Sequence, residues 1–254
     1  MGAISKIATT LAKQAKMTAL AKKGKAGIKI FNEPVNTAKS DIIDISIPKK
    51  ILLENLNHPN LITGFKEIQH LKGKEFVKTA YSKIVKQLNM EDIAPELVYG
   101  KRKDLDGVAA FSRLEGKIYI DPDKITDNAD VVNSLVHELK HADQFNTIAR
   151  YNRATGLSPA QTICTTYDEQ KQFNRDYYNK VIEKLGTIKQ NDSLAKTARK
   201  YYNAFIKGGF SKSGDILEKE AYKIGDQTEK IYLKQVEGLS GFQIFKRNWI
   251  DIFF

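Results

Sequence analysis

Apolar residues at Val132, Leu135, Val136 and Leu139 recur at helical spacing, which predicts a helix opening at a cap on Asn128 or Asp130. Ahead of it the pattern changes to that of strands. Residues 107–111 and 117–121 flank Glu115-Gly116 as a predicted hairpin, and residues 96–100 read as a further short strand after Pro95. Upstream, the Ile42, Ile43, Ile45 and Ile47 run stops at Pro48, turn signals gather at Asn57-His58-Pro59-Asn60, and the periodicity predicts one amphipathic helix over 65–88. Downstream the chain reads as helical over 158–185, 192–206 and 216–236, with breaks at Gly186-Thr187 and Gly208-Gly209. The aromatic tail from Phe242 to Phe254 is expected to dock as a last core element, with a partner or membrane contact as the alternative. Together these elements predict an α+β fold: a small antiparallel or mixed sheet packed on one helix, followed by a mainly helical C-terminal part.

Charge divides the chain in two. Residues 1–30 carry Lys6, Lys13, Lys16, Lys22, Lys23, Lys25 and Lys29 and no acid, so 7 of the net +11 belong to this stretch. Its helical stripe of Ile4, Ile7, Leu11 and Ala15 is weak and is interrupted by Gly24 and Gly27. Residues 1–40 are therefore expected to be a basic, solvated arm, with docking on an anionic surface or nucleic acid as the alternative, and 41–254 a single domain. No run has the apolar length of a transmembrane helix or of a secretory signal core, so the expected location is cytoplasmic, with export by a non-classical route left open. The lone Cys164 forms no internal disulfide and is expected to be a small core residue.

The predicted helix also carries chemistry. His137-Glu138-Leu139-Lys140-His141 is an HExxH motif. Imidazoles four residues apart lie on one helical face, one turn apart, where both can reach a tetrahedral Zn²⁺ while the intervening Glu138 faces its open position. A catalytic zinc usually takes a third protein ligand. No histidine follows His141, and Gln144 and Thr147 stand where a three-histidine motif would place Gly and His, so a carboxylate must serve. His58 and His70, upstream, read as ordinary polar residues.

The segment Leu217-Glu218-Lys219-Glu220-Ala221-Tyr222 resembles the second-helix motif of gluzincin metallopeptidases. That resemblance implies a zincin-like fold, a Zn²⁺ cofactor held by His137, His141 and Glu218, and a peptide or protein substrate. It makes Glu218 the favoured third ligand and Glu220 its competitor. It further implies a zinc metalloendopeptidase-like hydrolase in which Glu138 is the general base of attack by water on a carbonyl carbon. Tyr222 stands where such sites often carry an Asp that holds a ligand imidazole. The acceptor for the histidines is then expected from Asp143, Asp130 or a backbone carbonyl, and Tyr222 becomes a hydroxyl donor to a carboxylate or developing oxyanion. Tyr119, Tyr177 and Tyr178 are further candidates for that donor. The alternative reading is a zincin-fold protein without proteolytic activity, acting as a regulatory or binding protein through its arm.

Overall fold

The computed structural model describes residues 49–100, 107–208, 216–245 and 247; the basic arm, residues 41–48 and the end of the aromatic tail lie outside them. After helix α1 (Lys49–Leu56), the His58 side chain caps α2 (Pro59–Ile68) by accepting the Asn60 N–H at 3.2 Å, with Pro59 placed where a helix needs no N–H. The single helix expected over 65–88 is broken. α2 ends at Ile68 and α3 spans Gly73–Gln87, because Gly73 takes a left-handed φ of +54° and the Asn128 side-chain amide donates to the carbonyls of Gln69 and Leu71 at 3.0 and 3.2 Å. A distant side chain thus satisfies the backbone that the break exposes.

Three short strands follow: β1 (Glu96–Tyr99), β2 (Ala109–Ser112) and β3 (Lys117–Ile120). They form a mixed sheet in the order β1-β3-β2, with β3 parallel to β1 and antiparallel to β2. The predicted hairpin is β2–β3. Its turn closes with the Gly116 N–H on the Ser112 carbonyl, and Gly116 has φ +65° with the Tyr177 ring against it, where a Cβ would come within 2.4 Å. Ile118 and Ile120 on the central strand are fully buried.

The predicted motif helix is α4 (Asn128–Ala154), 27 residues long. Its cap is Asp127, one residue earlier than either expected position, because Asp127 has the extended backbone a cap requires and accepts the Asp130 N–H at 3.0 Å. Asp130 in turn accepts from the Thr126 N–H and hydroxyl. Two apolar clusters meet along α4. Its first half packs with α2, α3, β3 and the next-to-last described helical segment, and its second half, through Phe145, Ile148 and Ala149, packs with the helices that follow it. At roughly 1.5–3 kcal/mol for each fully buried large side chain, these clusters dominate what holds α4 in place.

The helix expected over 158–185 is three: α5 (Pro159–Ile163), α6 (Tyr167–Gln172) and α7 (Arg175–Leu185). Ser158, Thr166 and Asn174 each accept a backbone N–H as caps, and the chain between helices turns inward to bury Cys164 and Phe173. Helices α8 (Ala195–Gly208) and α9 (Ile216–Gln235) complete the layer, and α9 packs along α4. Their approach is close: a Cβ on Gly225 would stand 2.2 Å from Asn133 Oδ1 and 3.1 Å from the Asn133 carbonyl. The tail docks in part. Ile244 is buried, whereas Phe242 and Phe245 are 75% and 59% exposed. Among the described residues no helix is long and apolar enough to cross a membrane.

Candidate metal centre

The HExxH residues occupy the stretch of α4 where the two clusters meet. His137 and His141 project from one face with their Nε2 atoms 3.0 Å apart, and Glu218, in the first turn of α9, closes the group. Glu218 Oε1 lies 3.3 Å from His141 Nε2, and its Oε2 lies 3.5 Å from His137 Nε2. One ligand atom from each of the three residues falls within 4.8 Å of the others, and among the described residues no other trio of His, Cys, Asp or Glu is so arranged. Donors about 2.0–2.1 Å from a tetrahedral ion stand about 3.3 Å from one another. The observed separations of 3.0–3.5 Å, with a different Glu218 oxygen facing each histidine, lie near that figure, and these residues could hold a metal ion.

Electrostatics point the same way. Burial by itself would raise the Glu218 carboxyl, but the facing imidazoles of His137 and His141 outweigh it and hold the group down at about 2. Burial would lower the pKa of His141, yet Glu218, Glu138 and Gln144 overcome it and leave the ring more basic than its ordinary 6.5. Two carboxylates around two buried imidazoles call for positive charge, which either ring protonation or a bound cation supplies.

Neighbouring groups orient the set. The Glu138 carboxylate accepts the Phe111 N–H of β2 at 2.7 Å through Oε2, while Oε1 lies 3.8 Å from His137 Nε2. Gln144 Oε1 meets His141 Nδ1 at 2.9 Å, and the Gln144 amide donates to the Leu217 carbonyl at 3.0 Å. Gln144 therefore takes the orienting role expected of Asp143 or Asp130. Asp143 is instead paired with Lys140 at 2.6 Å, and Asp130 is engaged at the start of α4. Sequence offered one signal for Gln144: it lies three residues after His141, on the same helical face. Nothing in the sequence marked the Phe111 N–H.

The competing carboxylate points elsewhere. Glu220 accepts from Lys200 Nζ at 2.7 Å and from the Tyr201 hydroxyl at 2.6 Å, since two residues along a helix is about 200° around its axis. Tyr222, one turn after Glu218, packs the edge of its ring on His137 with centroids 4.6 Å apart and stays half exposed. Partial burial, then the charges of Glu218 and Glu138, raise its hydroxyl pKa, so it remains a protonated donor at neutral pH. The other tyrosines are committed: Tyr119 donates to Glu115, Tyr178 donates to the Arg113 carbonyl, and Tyr177 accepts from Asn146. His58 and His70 lie on the exposed surface of the N-terminal helices.

Comparison of the chain with protein-family models, with curated proteins and with solved structures returns no match.

Proposed function

We propose that this chain is a zinc-dependent hydrolase of the gluzincin kind that cleaves peptide bonds, with His137, His141 and Glu218 as ligands and Glu138 as general base. The reading is carried by the convergence of those three residues beside a fourth, Glu138, whose carboxylate is fixed at one oxygen by the Phe111 N–H. A zinc ion bound by His137, His141 and Glu218 would supply an acidified water and a Lewis acid for a carbonyl oxygen. Glu138 accepts the proton of the attacking water at Oε1 and returns it to the leaving amine nitrogen, while Oε2 stays anchored to β2. Tyr222, held against His137, donates its hydroxyl to the oxygen on which charge develops.

The substrate class follows from β2. The carbonyls of Val108 and Ser112 turn toward β3, where they accept from Asp121 and Gly116, so the backbone groups of Ala109 and Phe111 turn away from the sheet. Phe111 already spends its N–H on Glu138. An extended peptide laid along this edge brings a backbone carbonyl to the site, which favours a peptide bond over a small-molecule ester or amide.

The test is a Glu138→Gln variant incubated with a peptide library, with metal content measured on the same preparation. Stoichiometric metal and abolished cleavage are expected. Equal cleavage by both forms overturns the role of Glu138, and metal binding with no cleavage by either form supports the non-proteolytic alternative.

A further inference from the structure

Glu218 lies on α9, close to Ile216, the first residue of that helix among the described residues. Its carboxylate meets two imidazoles carried by another helix, and a ligand brought from a separate element needs anchoring if it is to stay within tenths of an ångström of them. One anchor is Gln144, which bridges the His141 ring and the Leu217 carbonyl. It holds the backbone on one side of Glu218 only.

The other side carries a chain of charged groups that the proposed chemistry does not use. Lys140, inside the HExxH motif, is buried, and so is Asp143. Their pair at 2.6 Å is extended by Lys140 Nζ donating to the Tyr201 hydroxyl at 3.2 Å. The Tyr201 hydroxyl in turn donates a hydrogen bond to Glu220 Oε2 at 2.6 Å, and Lys200 donates to the other Glu220 oxygen. A lysine this deep is costly unless paired.

We infer that the Asp143–Lys140–Tyr201–Glu220 chain is a positioning device that sets the Glu218–Glu220 stretch of α9 against α4 and thereby fixes the Glu218 carboxylate relative to His137 and His141. The inference rests on the reading of those three residues as a metal site. Tyr201 is its centre: the one hydroxyl both accepts from α4 and donates to α9, from a helix, α8, that touches both. Glu220 and Glu218 leave α9 on different sides, so holding Glu220 opposes rotation of α9 about its axis while Gln144 holds the Leu217 carbonyl.

Tyr201→Phe isolates this role, because the ring that packs in the second cluster and lies under the Lys140 ammonium is kept while both hydrogen bonds are lost. The experiment is a Co²⁺ titration followed by visible d–d absorption, which reports coordination geometry, on the wild type, Tyr201→Phe, Glu220→Gln and the distant surface control Tyr167→Phe. Tyr201→Phe should fold with an unchanged far-UV spectrum, bind Co²⁺ about 10- to 100-fold more weakly and show altered bands, with Glu220→Gln intermediate and Tyr167→Phe like wild type. Wild-type affinity and bands in folded Tyr201→Phe, or an equal loss in Tyr167→Phe, overturn the inference while leaving the metal site intact. Should Tyr201→Phe not fold, Glu220→Gln decides by the same two criteria. A wild type that takes up no Co²⁺ overturns the metal reading, and this inference with it.

Discussion

The Phe111 backbone N–H donates to Glu138 Oε2 at 2.7 Å, which ties the strand bordering the site to the carboxylate at its centre. The bond joins residues 27 positions apart and leaves Glu138 with one anchored oxygen and one directed at the imidazoles. A charge-assisted bond of this kind orients the group.

Glu138→Asp tests that anchoring. The shortened side chain keeps the charge but cannot reach both the Phe111 N–H and the place of the attacking water. Peptide hydrolysis should fall by roughly 10²-fold or more with metal content unchanged, since a positioned base contributes about 10²–10⁴. Near-normal turnover by the aspartate form would mean that the strand contact has no part in catalysis.

Tyr222→Phe separates the hydroxyl from the ring. The edge contact with His137 survives, so metal content should stay stoichiometric. Turnover should drop about 10²-fold with little change in KM, as for loss of an oxyanion donor. A change confined to KM would assign Tyr222 to substrate binding.

Gly225→Ala probes the crossing of α4 and α9. The added methyl would meet Asn133, whose side chain can yield but whose carbonyl, at 3.1 Å, cannot. We expect a loss of about 1–3 kcal/mol, read in urea unfolding, together with weaker metal binding as α9 is pushed outward. Adding Asn133→Ala should recover only part of the stability, because it frees the side chain and leaves the backbone contact; full recovery would place the strain in the side chain alone.

Acid sensitivity has a definite direction at Glu169. Burial raises its pKa, but the Thr165 backbone and hydroxyl and the Arg113 guanidinium, the last at 2.6 Å, pull it below its ordinary 4.5. A group with a depressed folded pKa stabilises above its unfolded value and loses that contribution as pH falls through the folded one. Glu169→Gln should therefore cost about 1 kcal/mol at pH 7, modest because the pair is partly solvated, and the gap from wild type should close below about pH 4.5. A gap that is constant with pH would show that the charge is not what stabilises.

The elements with a strong local signal were legible in the chain. The β2–β3 hairpin follows from its alternation around Glu115-Gly116, and α4 follows from its apolar stripe. Helix breaks were harder. The interruption between Ile68 and Gly73 depends on an amide from Asn128, and the division of 158–185 depends on caps that look, in one dimension, like ordinary polar residues of a helix. The stripe on α4 marked one buried face, whereas the helix is buried on nearly all sides, with Gln144, Asn146 and Arg150 inside. No pattern of apolar positions reports burial that polar side chains achieve through partners far along the chain.

For the site, the sequence by itself determined which side chains are chemically able to act, because the spacing of His137 and His141 on a helix places both rings on one face whatever surrounds them. It also required that any third ligand be a carboxylate. Only the tertiary structure brings Glu218 rather than Glu220 to the two imidazoles, sets Gln144 rather than Asp143 beside His141, and brings Phe111 to Glu138. Each of those outcomes depends on how α9 and β2 are rotated and spaced against α4, and that is set by packing among residues remote in sequence rather than by any local preference.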